Sequence, residues 1–126
     1  MSEKITYVDI YNLPVPRARL EEYRRQACEF GAALIDHGGL RYREFVLDDA
    51  GDGMRVEPEF LLTAAVAEFR SKEHRDSVMA GVLEEPRIKA FTESSDPPAD
   101  FGRMVYGGFT TLVESGPGAS EADHAS

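Results

Sequence analysis

Three carboxylates fall where carboxylates are unusual. Asp9, Glu44 and Glu68 each sit inside a stretch that otherwise reads as a β-strand. If they converge, crowding and desolvation raise at least one pKa, which suits a general base or a hard-metal site. The plainer account pairs each with Arg41, Arg43 or Arg103, or leaves it at a wet strand end; such pairs also arise for structural reasons. Around the carboxylates, Tyr7, Tyr42 and Tyr106 supply aromatic surface and hydroxyls, and Arg41, Arg103 and His74 supply polar groups for a ligand. Asp9, Glu44 and Glu68 are thus the candidate catalytic residues, and the other six are the candidate binding residues. His74 opens a predicted helix, where it could lean over a cavity mouth as acid or base, or simply face solvent.

Other chemistries find little support. No nucleophile elbow, phosphate loop, zinc spacing or dinucleotide fingerprint occurs, so neither a metal nor a cofactor is expected. The acidic turn Asp48-Asp49-Ala50-Gly51-Asp52-Gly53 lacks the spacing and closing glutamate of a calcium loop and reads as a solvated turn. Cys28 is the only cysteine, which excludes an intrachain disulfide, and its apolar neighbours predict a small buried hydrophobe. The net charge of -9 repels phosphate backbones and anionic membranes, so neither nucleic acid nor membrane is an expected partner. With no leader and no membrane-length apolar run, a cytoplasmic location is expected.

The elements that must position these residues follow from pattern. With 126 residues, of which 42% are hydrophobic, the chain has material for one domain; residues 1–114 are assigned to it and 115–126 to a disordered tail. Residues 5–13 alternate as a strand, and Pro14 and Pro16 are read as ending it. Leu20, Tyr23, Ala27, Phe30 and Leu34 form the stripe of a first helix, closed by Gly38-Gly39. Residues 40–47 and 60–69 predict two more strands. Ser71 caps a second helix, broken at Pro86, after which Ile88 and Phe91 pin a short segment to the body. A loop then leads to Arg103–Glu114, a strand apolar on both faces that carries Gly107-Gly108. Paired glycines there suggest a bulge, a bend or a close approach, and the bent core strand is preferred.

Strand, helix, strand, strand, helix, strand is the ferredoxin-like pattern: an α+β fold, with a four-stranded antiparallel sheet and two helices on one face. It leaves the other face bare, and a second copy packed there would cover it. Alternation divides the strand residues into two sets. The apolar set (Val8, Ile10, Phe45, Leu47, Ala65, Ala67, Phe69, Val105, Phe109, Val113) is expected under the helices. The set with Tyr7, Asp9, Tyr11, Tyr42, Glu44, Val66, Glu68, Met104, Tyr106 and Thr110 is expected on the open side, lining a semi-polar cavity.

Several motifs carry a resemblance: Tyr7-Val8-Asp9, Gly39-Leu40-Arg41 leading to Glu44 and Asp48-Asp49, then Glu68, Ser71-Lys72-Glu73, Arg75-Asp76 and Pro86-Arg87. The run Arg103-Met104-Val105-Tyr106-Gly107-Gly108-Phe109 is the most specific of them. In these the chain resembles the YbaA-like family, bacterial proteins built on domain of unknown function 1428. The resemblance implies a dimeric α+β barrel, in which two ferredoxin-like sheets close face to face. It departs at Val46 and Leu47, where such proteins tend to carry tryptophan and glycine, and in a trimmed connection between residues 53 and 71.

Two functions compete. Dimeric α+β barrels include cofactor-free monooxygenases, isomerases and haem-degrading enzymes, and by that analogy one of the three carboxylates would withdraw a proton from a small aromatic or carbonyl compound. The other is a homodimer that binds a small molecule without turning it over, and this reading is preferred. A haem role is unattractive with only His37, His74 and His124.

Overall fold

In a computed structural model, the protein's architecture is described for residues 5–118. Strand β1 spans Tyr7–Pro16, and a 3-10 turn over Arg17–Arg19 leads into helix α1, Leu20–Asp36. Strands β2, Arg41–Val46, and β3, Phe60–Phe69, follow. Helix α2, Lys72–Glu84, starts at Ser71, whose hydroxyl accepts the backbone N–H of His74 at 3.0 Å. Helix α3, Pro86–Thr92, has proline in its first turn, where no N–H is missed. Another 3-10 turn, Phe101–Arg103, brings the chain to strand β4, Val105–Thr110. The sheet is antiparallel throughout, in the order β2-β3-β1-β4. This is the expected ferredoxin-like α+β fold, with a third helix where the sequence predicts a short packed segment.

β1 does not stop at its prolines. Pairing with β3 continues to Pro16↔Phe60, whereas pairing with β4 ends at Asn12↔Val105. Beyond Asn12 the β4 side of β1 is a free edge, where a proline forfeits no ladder bond. β4 is correspondingly shorter than the predicted Arg103–Glu114. The predicted tail falls partly outside the described residues, and so does His124.

The sheet's faces are the main correction. Tyr7, Asp9, Tyr11, Leu13 and Val15 lie on the helix side, and register carries that row into Ala65, Ala67 and Phe69, then Tyr42 and Glu44, then Tyr106 and Gly108. Val8, Ile10, Phe45, Val66, Glu68, Val105 and Phe109 face away from the helices. The expected faces are therefore reversed for β1, β2 and β4 and hold only for β3. The cause is visible at the far end of β1, where Leu13 and Val15 are fully buried. They anchor the odd-numbered row beneath α1, and the period of two transmits that choice along the strand.

Two packed clusters hold the layers together. One joins Phe69 and Ala67 to Leu34 of α1, Val78 and Val82 of α2 and Ile88 of α3. The other gathers Leu13, Val15, Tyr23 and Ala99. Arg87 fastens the start of α3 to α1 through Glu29 and Asp36, each at 3.1 Å, and to Glu85 at 2.6 Å.

Candidate functional site

Between these two clusters the helices and the sheet leave a cavity of about 570 Å³. Its floor is the helix-side row of the sheet, its walls include Phe30 of α1, Met79 of α2 and Ile88 and Phe91 of α3, and its rim carries Leu83, Phe101 and Tyr106. Mostly apolar walls with a few convergent polar groups are the ordinary make-up of a small-molecule site.

Glu44 is one polar focus. The hydroxyls of Tyr23 and Tyr42 both donate to its Oε1, each at 2.9 Å. Burial pushes the Glu44 carboxyl above its ordinary range, and the two hydroxyl bonds only partly oppose that. Among the described residues no cation forms an ion pair with it. Burial, reinforced by the neighbouring carboxylate, likewise pushes the phenols of Tyr42 and Tyr23 far above theirs. Tyr42 fits beneath α1 because Gly31 stands opposite its ring; a Cβ there would come within 2.8 Å of it.

Asp9 is the other focus, and its surroundings differ. Its Oδ1 meets Arg75 Nη1 at 2.5 Å and its Oδ2 accepts the Tyr11 hydroxyl at 3.2 Å. Burial raises this carboxyl too, against the lowering pull of Arg75. Arg75 also holds Asp76 at 2.7 Å and lies over the Tyr7 ring, 5.1 Å from its centre. Tyr7 reaches this position across Gly108, where any Cβ would overlap its hydroxyl. The close approach that the glycine pair suggested is thus made by a side chain. Tyr11 stacks on Tyr106 at 5.9 Å.

The three carboxylates do not share one site. Asp9 and Glu44 line the cavity, while Glu68 lies on the opposite face, 3.6 Å from Arg43, with Oε2 buried and without a hydrogen-bond partner among the described residues. Glu68 is neighbour in sequence to Ala67, which faces the cavity side, so alternation alone separates them. Of the predicted binding residues, Tyr42 and Tyr106 line the cavity, and Tyr7 supports Arg75 from behind. Arg41 lies on an outer groove between α1 and β2, and Arg103 pairs with Glu57 at 3.5 Å over the Phe60 ring. His74 does not overhang the mouth. Its Nδ1 accepts the Arg70 N–H at 3.0 Å and its Nε2 donates to the Gly38 carbonyl at 2.9 Å, tying α2 to the end of α1. Cys28, expected buried, is exposed.

Sequence reasoning missed Arg75 and Tyr23. Tyr23 stood in the apolar stripe of α1, where its hydroxyl gave no sign of a partner twenty-one residues on. Arg75 follows the Ser71 cap by four residues, one turn into the helix, and that spacing could have aimed it back at the sheet. Among the described residues, no group of three or more His, Cys, Asp or Glu side chains is placed to hold a metal ion. No helix among them is long and apolar enough to cross a membrane.

Known proteins share this architecture. A solved structure from Thermobifida fusca YX, described as a dimeric ferredoxin-like protein of unknown function, superposes with a TM-score of 0.54 at 13% identity, over 87% of this chain and 95% of its own. At that identity the likeness speaks for the fold alone. The uncharacterised protein YbaA of Escherichia coli K12 is 31% identical over 116 residues, covering 86% of this chain and 97% of YbaA. YbaA of Shigella flexneri matches to the same extent. Residues 6–100 match the family described as "Protein of unknown function (DUF1428)". A ferredoxin-like chain with that match and those relatives belongs to the DUF1428 family, alongside YbaA.

Proposed function

We propose that this protein is a homodimeric small-molecule-binding protein, each copy holding its ligand in the cavity between sheet and helices. The observation that carries this reading is the cavity itself, about 570 Å³ and walled by apolar side chains, with Glu44 and Asp9 as polar points. The assembly rests on the other side of the sheet, where Val105 and Phe109 of β4 are 71% and 51% exposed and Phe45, on the opposite edge strand β2, is exposed as well. An apolar face of that kind calls for a cover, and a second copy supplies a matching one. The Thermobifida structure, described as dimeric, is in keeping with a dimer. The acidic charge argues against nucleic acid and membrane as partners and fits a cytoplasmic home.

A second reading, favoured by the raised Glu44 carboxyl, makes the protein a cofactor-independent enzyme with Glu44 as general base. Glu44→Gln would then abolish turnover while leaving the fold intact, and unchanged turnover would remove the assignment.

Native mass spectrometry of freshly purified protein tests the main reading. The expected result is a dimer carrying a reproducible extra mass. A bare monomer across micromolar concentrations would overturn it.

A further inference from the structure

Most hydroxyl and cationic donors lining the cavity are committed to the protein, the Gln26 amide and the Tyr106 hydroxyl aside. The hydroxyl of Tyr11 is given to Asp9, those of Tyr23 and Tyr42 to Glu44, and that of Thr63 to the Leu13 carbonyl. Arg75, the one cationic side chain of the lining, is held between Asp9 and Asp76. At Glu44, the position that remains is an acceptor. Both tyrosine hydrogens converge on Oε1 of Glu44, leaving Oε2 with no bond from the described residues. The walls thus carry two carboxylates against one arginine whose charge is already shared. Inside this cavity, which Arg24 and Arg41 of the outer groove do not line, a carboxylate or phosphate ligand would enter next to Glu44 with no cation left to meet it, and its desolvation would go uncompensated. A ligand ammonium group meets the opposite situation, because it is a donor, it is positive, and aromatic faces such as Phe30, Tyr42 and Tyr106 favour a cation nearby. The net charge of -9 favours the approach of such a ligand as well.

We propose that the cavity takes an apolar amine: a protonated primary or secondary ammonium seated on Glu44 Oε2, with its hydrocarbon or aromatic body lying among Phe30, Met79, Ile88 and Phe91. This deepens the small-molecule reading above and rests on it. Glu44 is then the ligand's counter-ion, and the two tyrosines orient its carboxylate so that one oxygen stays turned to the ligand. Asp9, neutralised by Arg75, defines a second polar point that tolerates a neutral donor on the ligand's far end.

Three probes of nearly equal shape separate the possibilities: 2-phenylethylamine, 2-phenylethanol and 3-phenylpropionate. Binding is followed at near-neutral pH through the methyl resonances of Met79 and Met104, both of which line the cavity. The amine is expected to bind about tenfold or more tighter than the carboxylate, the difference a charge-assisted contact provides. Glu44→Gln should remove about that factor from the amine while leaving the alcohol within about twofold. Preserved methyl dispersion in the variant shows that it has folded, and Tyr42→Phe, which removes one donor to Oε1 without removing the carboxylate, should retain the preference for the amine. If the alcohol shifts the methyls but the carboxylate binds as well as the amine, or Glu44→Gln leaves the amine untouched, the amine assignment is overturned and the cavity reading survives. If none of the three perturbs Met79 or Met104 at millimolar concentration, the cavity is not a site for such molecules, and both readings fall.

Discussion

The two faces of the sheet divide their labour against the usual rule. The face beneath the helices holds the buried charge, Asp9 with Arg75 and Glu44 with its tyrosines, around a cavity. The face that the helices leave bare is the more apolar, with Val8, Ile10, Val66, Val105 and Phe109 broken by the Arg43–Glu68 pair. An interior that keeps charged groups in place of a filled core suits the proposed ligand site, and an exterior rich in hydrocarbon suits the proposed contact between copies. The same four strands serve both purposes because alternation lets neighbouring residues belong to different surfaces.

The largest test of that division is to charge the bare face. Phe109→Asp would place like charges near each other across the proposed two-fold contact and should weaken self-association by a hundredfold or more, about 2.7 kcal/mol. Sedimentation velocity reads this directly. Thr92→Asp, on the helix side, should leave assembly unchanged, and a wild-type protein that is already monomeric would break the comparison.

In that monomeric background the two arginines should separate next. Removing Arg75 leaves Asp9, only 4% exposed, without its counter-ion, and Arg75→Ala should cost about 3 kcal/mol in urea unfolding. Arg43→Ala removes a half-exposed partner 3.6 Å from Glu68 and should cost below about 1 kcal/mol. Equal losses would mean that the faces are energetically alike.

The adjacent glycines give a finer contrast. Gly108→Ala drives a methyl into the Tyr7 hydroxyl and should cost about 1–3 kcal/mol. Gly107→Ala, whose methyl would meet only the Phe109 ring at 3.6 Å, should fall within about 0.5 kcal/mol of wild type.

The smallest effect concerns pH. A carboxyl whose folded-state pKa lies above its unfolded value costs stability once pH exceeds the folded value, and the cost fades as pH falls toward the unfolded one. Burial raises Glu44 in this way. Glu44→Gln should therefore be as stable as wild type or more so at neutral pH, and the advantage should shrink on acidification through the interval between the raised value and the ordinary carboxylate range. Thermal melts across that interval would show it, and an advantage that grows in acid would reverse the assignment of Glu44 as a destabilising buried charge.

The order of elements was legible because helices and strands differ in period and because Ser71, Pro86 and Gly38-Gly39 punctuate the chain. The faces were not legible. Val8, Ile10, Phe45 and Phe109 make a more apolar set than Tyr7, Asp9, Tyr42 and Glu44, and hydrophobicity alone puts the former inside. What decides the matter is Leu13 and Val15, in phase with Tyr7 but interleaved with two prolines that in sequence signal a stop. The partners of the charges were equally hidden. Arg75 lies sixty-six residues from Asp9 and Tyr23 twenty-one from Glu44, separations that only the tertiary fold can close.

Those same prolines have a consequence for how the protein assembles. An exposed strand edge is a template on which further chains can add without limit. Past Asn12, where β4 no longer covers β1, the edge carries Pro14 and Pro16, which offer no N–H to an incoming strand. Growth by edge-to-edge addition is disfavoured there, while the apolar surface lies on the face that a second copy fills in the proposed dimer. In the proposed homodimer the chain would thereby be steered toward a closed pair and away from a fibre.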